Sequence, residues 1–498
     1  MNISLVLQMA ADTFPDRIAL THNSVHYSYG RLYASAQAAA ARISASGAEF
    51  VSYLGESSPA TVIALFGAAL AGRPFAPLNY RLTAPETNRL IERLAPVYLI
   101  ADEDKLATIP DGAAQVLVSV PAFLEAVTTD ELADWEAPQD EEAVAVQLFT
   151  SGTTGEPKAA LLRNQNLLGY VLGTVEFAAA EEDEATLVSV PPYHIAGISA
   201  ILSSIYAMRR IVQLPQFSPA EWLKQCGGEH VTNAFVVPTM LTRIIAHIDE
   251  SGEAPDLGAL RSLAFGGGKM PLPVVQRALD LFPHVSFTNA YGLTETSSTI
   301  ALLGPEDHRE AHGHPDPLVA RRLDSVGKPL PTVEVQIRDE EGNVLGADEL
   351  GEVFVRGPQV SGEYQGRKLT DEEGWFPTRD SGFIDEHGFL FLAGRIDDVI
   401  VRGGENISPG EVEKVLREHE GIADCAVVGV PSVEWGETLA AAIVRAQGSA
   451  VTEQELKELV RRQLRSSRVP EHVRFVEALP YNEMGKLLRR SLKSIFED

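Results

Sequence analysis

Cysteine is nearly absent from this 498-residue chain: only Cys226 and Cys425 occur, far apart and without metal-ligand neighbours. That excludes a disulfide framework and a cysteine-based zinc site. Long apolar runs are missing too. The longest candidate, residues 62–72, stops at Arg73, short of the roughly 20 residues a spanning helix needs. The opening MNISLVLQMAADTFPD has no basic n-region and meets Asp12 early, so no export signal is read and a cytoplasmic location is expected. Basic residues are outnumbered, with 41 Lys and Arg against 69 Asp and Glu and a formal net charge of −28. Without a basic footprint, no nucleic-acid partner is expected. The acidity serves solubility, but a polyanionic ligand would have to be met locally by Lys, Arg, a divalent cation or backbone N–H donors.

What is present suits a soluble globular protein. Apolar residues make up 45% and charged residues 22%, which excludes disordered and fibrous classes. The length allows two to four domains. Helix-like stretches at 29–44 and 61–71 alternate with strand-like runs at Val97–Ala101 and 115–120, the pattern of a layered α/β architecture. An acidic stretch at 128–142, containing Pro138, reads as a connector. AVAVQLF at 143–149 is then a buried-strand candidate. Residues 304–317 are expected to be a solvated polar loop. Its His308, His312 and His314 are expected to offer no helical i,i+4 ligand pair and no metal site. Beyond Ser325, strands with Gly-containing acidic turns read as hairpins. The last hundred residues read as a small α/β unit. Val412, Val415 and Leu416 share a helical face, 424–430 and 472–478 are strand-like, and 453–464 is a helix capped by Thr452.

The densest local signal is the run Thr150, Ser151, Gly152, Thr153, Thr154, Gly155, Glu156, Pro157, Lys158. Glycines let backbone N–H groups approach phosphate oxygens, hydroxyls add donors and Lys158 adds charge. The spacing is not that of the Walker loop, which disfavours an ordinary P-loop hydrolase. Alone, such a run could be a plain polar turn. It is followed in order by NAYGLTE at 289–295, WFPTRD at 375–380, GRIDD at 394–398 and Lys486 in LPYNEMGKLLRR.

Together these motifs resemble the adenylate-forming superfamily of acyl- and aryl-CoA synthetases, firefly luciferase and peptide-synthetase adenylation domains. The likeness covers essentially the whole chain. Within the superfamily, GGENISPGEVE at 403–413 and GVPSVEWGE at 429–437 look most like the acyl-CoA synthetases. The resemblance implies an α/β fold. Residues 1–394 would form an AMP-binding domain of two layered α/β subdomains and a small β-barrel-like one. A hinge would lie at 395–398, and a mobile α+β domain would span 399–498. The implied reaction joins a carboxylic acid to coenzyme A, using ATP and Mg²⁺, through an acyl-adenylate.

The same resemblance implies the roles of individual residues. Lys486 would touch both the acid and the α-phosphate, and Glu295 would hold Mg²⁺. Thr294, the hydroxyls of Thr150, Ser151, Thr153 and Thr154, and the loop's Gly152, Gly155 and Lys158 would hold the phosphates. Asp380 would accept the ribose hydroxyls and Arg395 would donate to them. Tyr291 would stack on adenine, with Asn289, Ala290, Gly292 and the backbone of Gly266, Gly267 and Gly268 at its edge. Rotation about Asp397 would withdraw Lys486 and bring Gly403 and Gly404, with Glu405 and Trp435, to the pantetheine channel. His194 in PPYHIAG matches the position between acid pocket and thiol tunnel. Ile198, Ser199, Pro238 and Thr239 would line a mostly apolar acid pocket. Taken singly, these residues could equally be a satisfied core histidine, a turn acid, a surface ion pair and solvated lysines.

The chain also departs from the family pattern. Ala159, Ala160 and Asn164 follow Lys158 where a glycine and then a His or Thr are usual, and Arg379 stands where glycine is common. These positions touch adenylation, so a thioester synthase fed a preformed adenylate stays open. So do a carrier-protein-loading ligase, a luciferase-like oxygenase and an inactive binding protein. Medium-chain aliphatic, alicyclic and aromatic acids all fit, and a homodimer is admitted.

Overall fold

The computed structural model describes residues 1–133, 135–150, 157–252, 256–403, 405–482, 485 and 487–496. Of the expected site residues, Ser151, Gly152, Thr153, Thr154, Gly155, Gly404 and Lys486 lie outside the described residues. The chain divides into two compact units. One comprises Met1–Leu323, Pro329–Glu334 and Arg356–Phe376; the other comprises Asp324–Lys328, Val335–Val355 and Pro377–Asp498. The second therefore takes in strands that precede the expected hinge as well as the C-terminal segment.

The first unit is built on two sheets. In one, the strands run in the order Ser298–Leu303, Ser286–Leu293, Ser262–Gly266, Asn233–Val236, Ala185–Val188, Arg210–Gln213, Ile18–His22 and Val25–Ser28. The ladders from Ser286–Leu293 to Ile18–His22 are parallel, and antiparallel strands flank them. Parallel neighbours need crossovers, which the intervening helices supply. In the other sheet, Phe50–Leu54, Val97–Ala101 and Val116–Ser119 are parallel. The antiparallel pair Val144–Thr150 and Lys158–Arg163 joins them through Phe75, which bridges Val51 and Val146. Glu363–Tyr364 and Arg367–Lys368 extend the far edge.

Every residue of helix Pro59–Leu70 is buried, so the apolar run beginning at Val62 is a core helix. It lies so close to helix Tyr29–Ser46 that a Cβ on Gly67 would sit 2.8 Å from Ala39 Cβ. Ser28 caps the latter helix by accepting from Arg31 N, and Gly47 ends it at φ +74°.

The stretch 304–317 departs from expectation. It holds a helix, Pro305–Ala311, that starts on Pro305 and carries Glu306 and Asp307 in its first turn. Proline at the first position and early acids are helix-starting features, and they outweigh the loop reading. His308 and His312 do have helical i,i+4 spacing but diverge. His308 is buried edge-on to Phe265 with Nδ1 2.9 Å from Gly304 O, while His312 Nε2 lies 2.9 Å from Asp280 Oδ1. Among the described residues, no group of three His, Cys, Asp or Glu could hold a metal, and no helix is long and apolar enough to cross a membrane.

The second unit contains a four-stranded sheet ordered Glu334–Arg338, Gly351–Arg356, Phe376–Ile384, Leu390–Arg395. Its C-terminal part centres on the antiparallel pair Ile422–Ser432 and Gly436–Arg445, with His472–Phe475 added in parallel. Helices Pro409–Leu416 and Glu453–Gln463 bury Val412, Val415, Leu416, Leu456 and Val460 in one core with Val427, Leu439 and Ile443. Thr452 caps the second helix reciprocally with Glu455.

Candidate active site

The residues flanking the Gly/Thr-rich run are anchored on both sides. Thr150 pairs with Lys158 across the ladder, and its Oγ1 donates to Lys158 O at 3.4 Å. Arg93 donates to Pro157 O at 2.7 Å with its guanidinium 5.1 Å from the Phe149 ring centre. The unusual neighbours have structural work. Ala159 and Ala160 are buried where Glu363–Tyr364 closes on the strand, Tyr364 pairing with Ala160 and Gln365 N donating to Ala159 O at 2.9 Å. Arg163 forks onto Glu363, Nε to Oε2 and Nη2 to Oε1 at 2.9 Å each. Asn164 accepts from Ile3 N at 3.0 Å and donates to Asp140 O at 2.8 Å, tying the N-terminus to the connector.

Asn289, Ala290, Tyr291 and Gly292 lie on strand Ser286–Leu293, with Asn289 beside Phe265 and Ala290 beside Gly266. Two glycines here are obligatory. A Cβ on Gly266 would lie 2.2 Å from Ala290 O, and one on Gly292 would lie 1.8 Å from Ser298 O. Gly267 takes φ +84° at the strand end. The chain then turns through Thr294–Thr296 into Ser297 at φ +54° and Ser298 at φ +118°. Two non-glycine residues with positive φ in succession store strain at the site. The turn is held from below by Thr296, whose Oγ1 accepts from Leu293 N at 3.0 Å and donates to Ser298 O at 2.8 Å. Gln359 Nε2 also donates to Thr296 O at 3.1 Å. The Ser297 hydroxyl is buried with no hydrogen-bond partner among the described residues.

Glu295 is presented by this turn. Its carbonyl accepts from Ser361 N at 2.9 Å and Gly362 N at 3.0 Å, and its Oε1 accepts from the Tyr364 hydroxyl. Lys158 Nζ stands 5.8 Å from the Tyr364 ring centre. Tyr364 thus brings carboxylate, phenol and ammonium together from three distant parts of the sequence.

His194 precedes helix Ile195–Tyr206, its ring 4.6 Å from that of Tyr193, which lies edge-on to Tyr80 at 5.8 Å. The PPYHIAG turn is tight: a Cβ on Gly197 would meet Pro191 O at 2.4 Å. Of the expected acid-pocket residues, Ser199 donates to Ser298 Oγ at 3.1 Å, joining the loop after Glu295. Ile198 is fully buried in the main core. Pro238 is buried at the start of helix Pro238–Ser251, with Thr239 half-buried beside it.

In the second unit, Asp380 and Arg395 face each other in the ladder, Arg395 Nε 2.9 Å from Asp380 Oδ1. Asp380 is only 7% exposed. Arg379, at φ +62°, donates from its backbone N to Glu352 Oε1 at 3.2 Å and from Nη2 to Asp397 Oδ1 at 2.7 Å. Its guanidinium is therefore committed to the expected hinge residue and to Glu352, whose carboxyl burial pushes above the usual range. Gly403 sits at φ +58° against Trp435: its N donates to Trp435 O at 2.9 Å, and a Cβ there would lie 2.9 Å from the indole ring. Glu405 is held below its ordinary range chiefly by the hydrogen bond from Arg468.

Three groups escape the sequence reading: Tyr364 on Glu295, Glu352 on Arg379, and Arg489, whose Nε lies 3.0 Å from Asp398 Oδ2. Each acts across a contact that no local spacing encodes.

The chain as a whole is similar to known proteins. The model of the AMP-binding enzyme family matches residues 7–365, and that of the AMP-binding enzyme C-terminal domain matches 411–486. A feruloyl-CoA synthase of Amycolatopsis is 32% identical over 490 residues, 97% of this chain and 96% of that protein. A fatty acid–acyl-carrier-protein ligase of Streptomyces coeruleorubidus is 30% identical over 466 residues, 90% of this chain and 86% of that one. Among solved structures, the o-succinylbenzoate CoA synthetase of Bacillus subtilis in complex with its acyl-adenylate intermediate superposes with a TM-score of 0.82 at 28% identity. It covers 98% of this chain and 97% of its own. With both domain models matched in order and relatives aligned over nearly their whole length, the chain belongs to the AMP-binding enzyme family, the adenylate-forming enzymes.

Proposed function

We propose that the protein is an AMP-forming acid–thiol ligase that converts a carboxylic acid, ATP and coenzyme A to acyl-CoA, AMP and pyrophosphate. The observation that carries this is the Lys158–Tyr364–Glu295 cluster at the stem of the phosphate-loop run. A carboxylate is a poor acyl donor until its oxygen is joined to the α-phosphorus of ATP and pyrophosphate leaves. The transition state brings anions together, so catalysis is mainly electrostatic. Lys158 and the hydroxyls of Thr150 and Thr294 would hold phosphate oxygens, with Lys486 reaching the α-phosphate and the acid. Glu295 suits Mg²⁺, which takes one or two carboxylates and fills its shell with water and substrate phosphates. Bound there, the ion would neutralise phosphate charge. Asp380, steadied by Arg395, would accept the ribose hydroxyls. In the second half-reaction the thiol sulfur attacks the acyl carbon and AMP leaves, with Gly403 and Trp435 lining the thiol's path.

Residues 395–398 are taken as the hinge between 1–394 and 399–498. The two cysteines are buried free thiols, in keeping with a cytoplasmic setting, and a homodimer is part of the same reading. The acid is sought first among hydroxycinnamic and succinylbenzoic acids, named for the relatives' substrates, then among fatty and alicyclic acids. Acid-dependent pyrophosphate exchange and mass detection of acyl-CoA test the proposal together. Exchange without acyl-CoA would point to a carrier-protein acceptor, and acyl-CoA from supplied adenylates alone would establish the split reaction.

A further inference from the structure

Strained backbone and the hinge turn meet at a single side chain in the second unit. Arg379 holds φ +62°, a left-handed setting that glycine adopts freely and an arginine adopts only at a cost. The side chain accounts for its presence there. Strands Phe376–Ile384 and Leu390–Arg395 pair as far as Asp380 and Arg395, and one residue further Arg379 Nη2 donates to Asp397 Oδ1 at 2.7 Å. The ion pair thus adds a side-chain rung where the backbone ladder stops. Its foot rests on Glu352, whose Oε1 accepts from Arg379 N at 3.2 Å and lies 3.9 Å from Nη1. Asp397 belongs to the short turn Ile396–Asp398. The next acid, Asp398, is gripped by Arg489 Nε at 3.0 Å, and Arg489 Nη1 reaches Glu413 Oε1 at 2.8 Å. Two successive acids of the turn are therefore held by two arginines, one from the strand before it and one from helix Arg489–Ser494.

We propose that Arg379 is a positioning residue whose ion pair with Asp397 biases the 396–398 turn toward one setting, and so sets the balance between the adenylation and thioester half-reactions. This rests on the reading of residues 395–398 as the hinge of a two-step ligase. Both side chains are half exposed, 50% each. The pair is thus weak enough to open in each cycle and accessible to salt. A buried pair would lock the turn, and a glycine at 379 would leave Asp397 without this brace.

The test measures two rates in the full-length protein: acid-dependent pyrophosphate exchange, and thioester formation from supplied acyl-adenylate. Arg379→Ala and Asp397→Asn should each shift the ratio of the two rates in the same direction, by about two- to fivefold, the range an exposed ion pair supplies. The double variant should shift it no further than either single change, and Arg379→Lys should restore it. A readout independent of turnover is the rate of tryptic cleavage after Arg402, which should rise by a similar factor in Arg379→Ala. Parallel changes in both half-reactions, additive shifts, or an unchanged cleavage rate overturn the proposal. Native protein that forms no adenylate and no thioester overturns the ligase reading instead, and the cleavage rate then decides on the brace alone.

Discussion

Residue 379 shows how one side chain can be worth an unfavourable backbone. Left-handed φ costs a non-glycine residue roughly 1 kcal/mol, while a half-exposed ion pair returns about as much at most. The two nearly cancel, so stability alone gives little reason for the arginine. Arg379→Gly should therefore leave the protein about as stable as the native chain, and more stable than Arg379→Ala by about 1 kcal/mol, since alanine keeps the strain and loses the pair. Urea midpoints of the three proteins check this. An alanine variant equal to the glycine variant would mean that the backbone relaxes out of the left-handed region. The same accounting does not extend to Ser297 and Ser298, where Thr296 and Gln359 hold the strained turn from within.

Among the elements, helix Pro305–Ala311 carries a pH-sensitive joint. Burial lowers the pKa of His308 below the ordinary 6.5, outweighing the Gly304 carbonyl that favours the protonated ring. The unfolded ring takes up its proton first as pH falls. The stability this site contributes is thus whole above pH 6.5 and is lost as pH drops through the lower folded value. His308→Gln should shrink the difference in urea stability between pH 7.5 and pH 5.5; an unchanged difference would exclude His308 as its source. This helix also marks where sequence reading stops. Tyr29–Ser46 and Glu453–Gln463 are legible because helical periodicity and caps agree there, and Val97–Ala101 because it is a short continuous apolar run, buried throughout. At Gly304-Pro305 the same dipeptide can punctuate a loop or open a helix, and the tertiary contact of His308 with Phe265 accompanies the second outcome. The motif residues can be found in the sequence because each short run has a fixed internal spacing. Tyr364 cannot, since its contact with Glu295 spans 69 residues and exists only once two strands have met.

For the whole molecule, the two half-reactions make separable demands on the chain. Lys486→Ala should abolish pyrophosphate exchange by about a hundredfold or more while sparing thioester formation from supplied adenylate. Exchange that survives would remove Lys486 from the mechanism. With a net charge of −28, attraction of ATP and coenzyme A cannot come from the molecule's overall field and must be short-ranged, so binding should depend only modestly on salt.

The edge formed by Glu363–Tyr364 and Arg367–Lys368 has a meaning for synthesis as well as for the candidate site. Strand Lys158–Arg163 acquires its outer neighbour, and Arg163 its carboxylate partner, 200 residues later in the chain. Until that segment leaves the ribosome, the strand that follows the Gly/Thr-rich run is a bare edge open to other chains. Truncations ending before residue 363 should aggregate, whereas those ending after residue 395, where the sheet of Glu334–Arg338, Gly351–Arg356, Phe376–Ile384 and Leu390–Arg395 is complete as well, should give soluble protein, as sedimentation of the two products would reveal. Completion of the Lys158–Tyr364–Glu295 cluster then becomes a late event in folding, and the same step that assembles it removes the risk of edge-to-edge pairing.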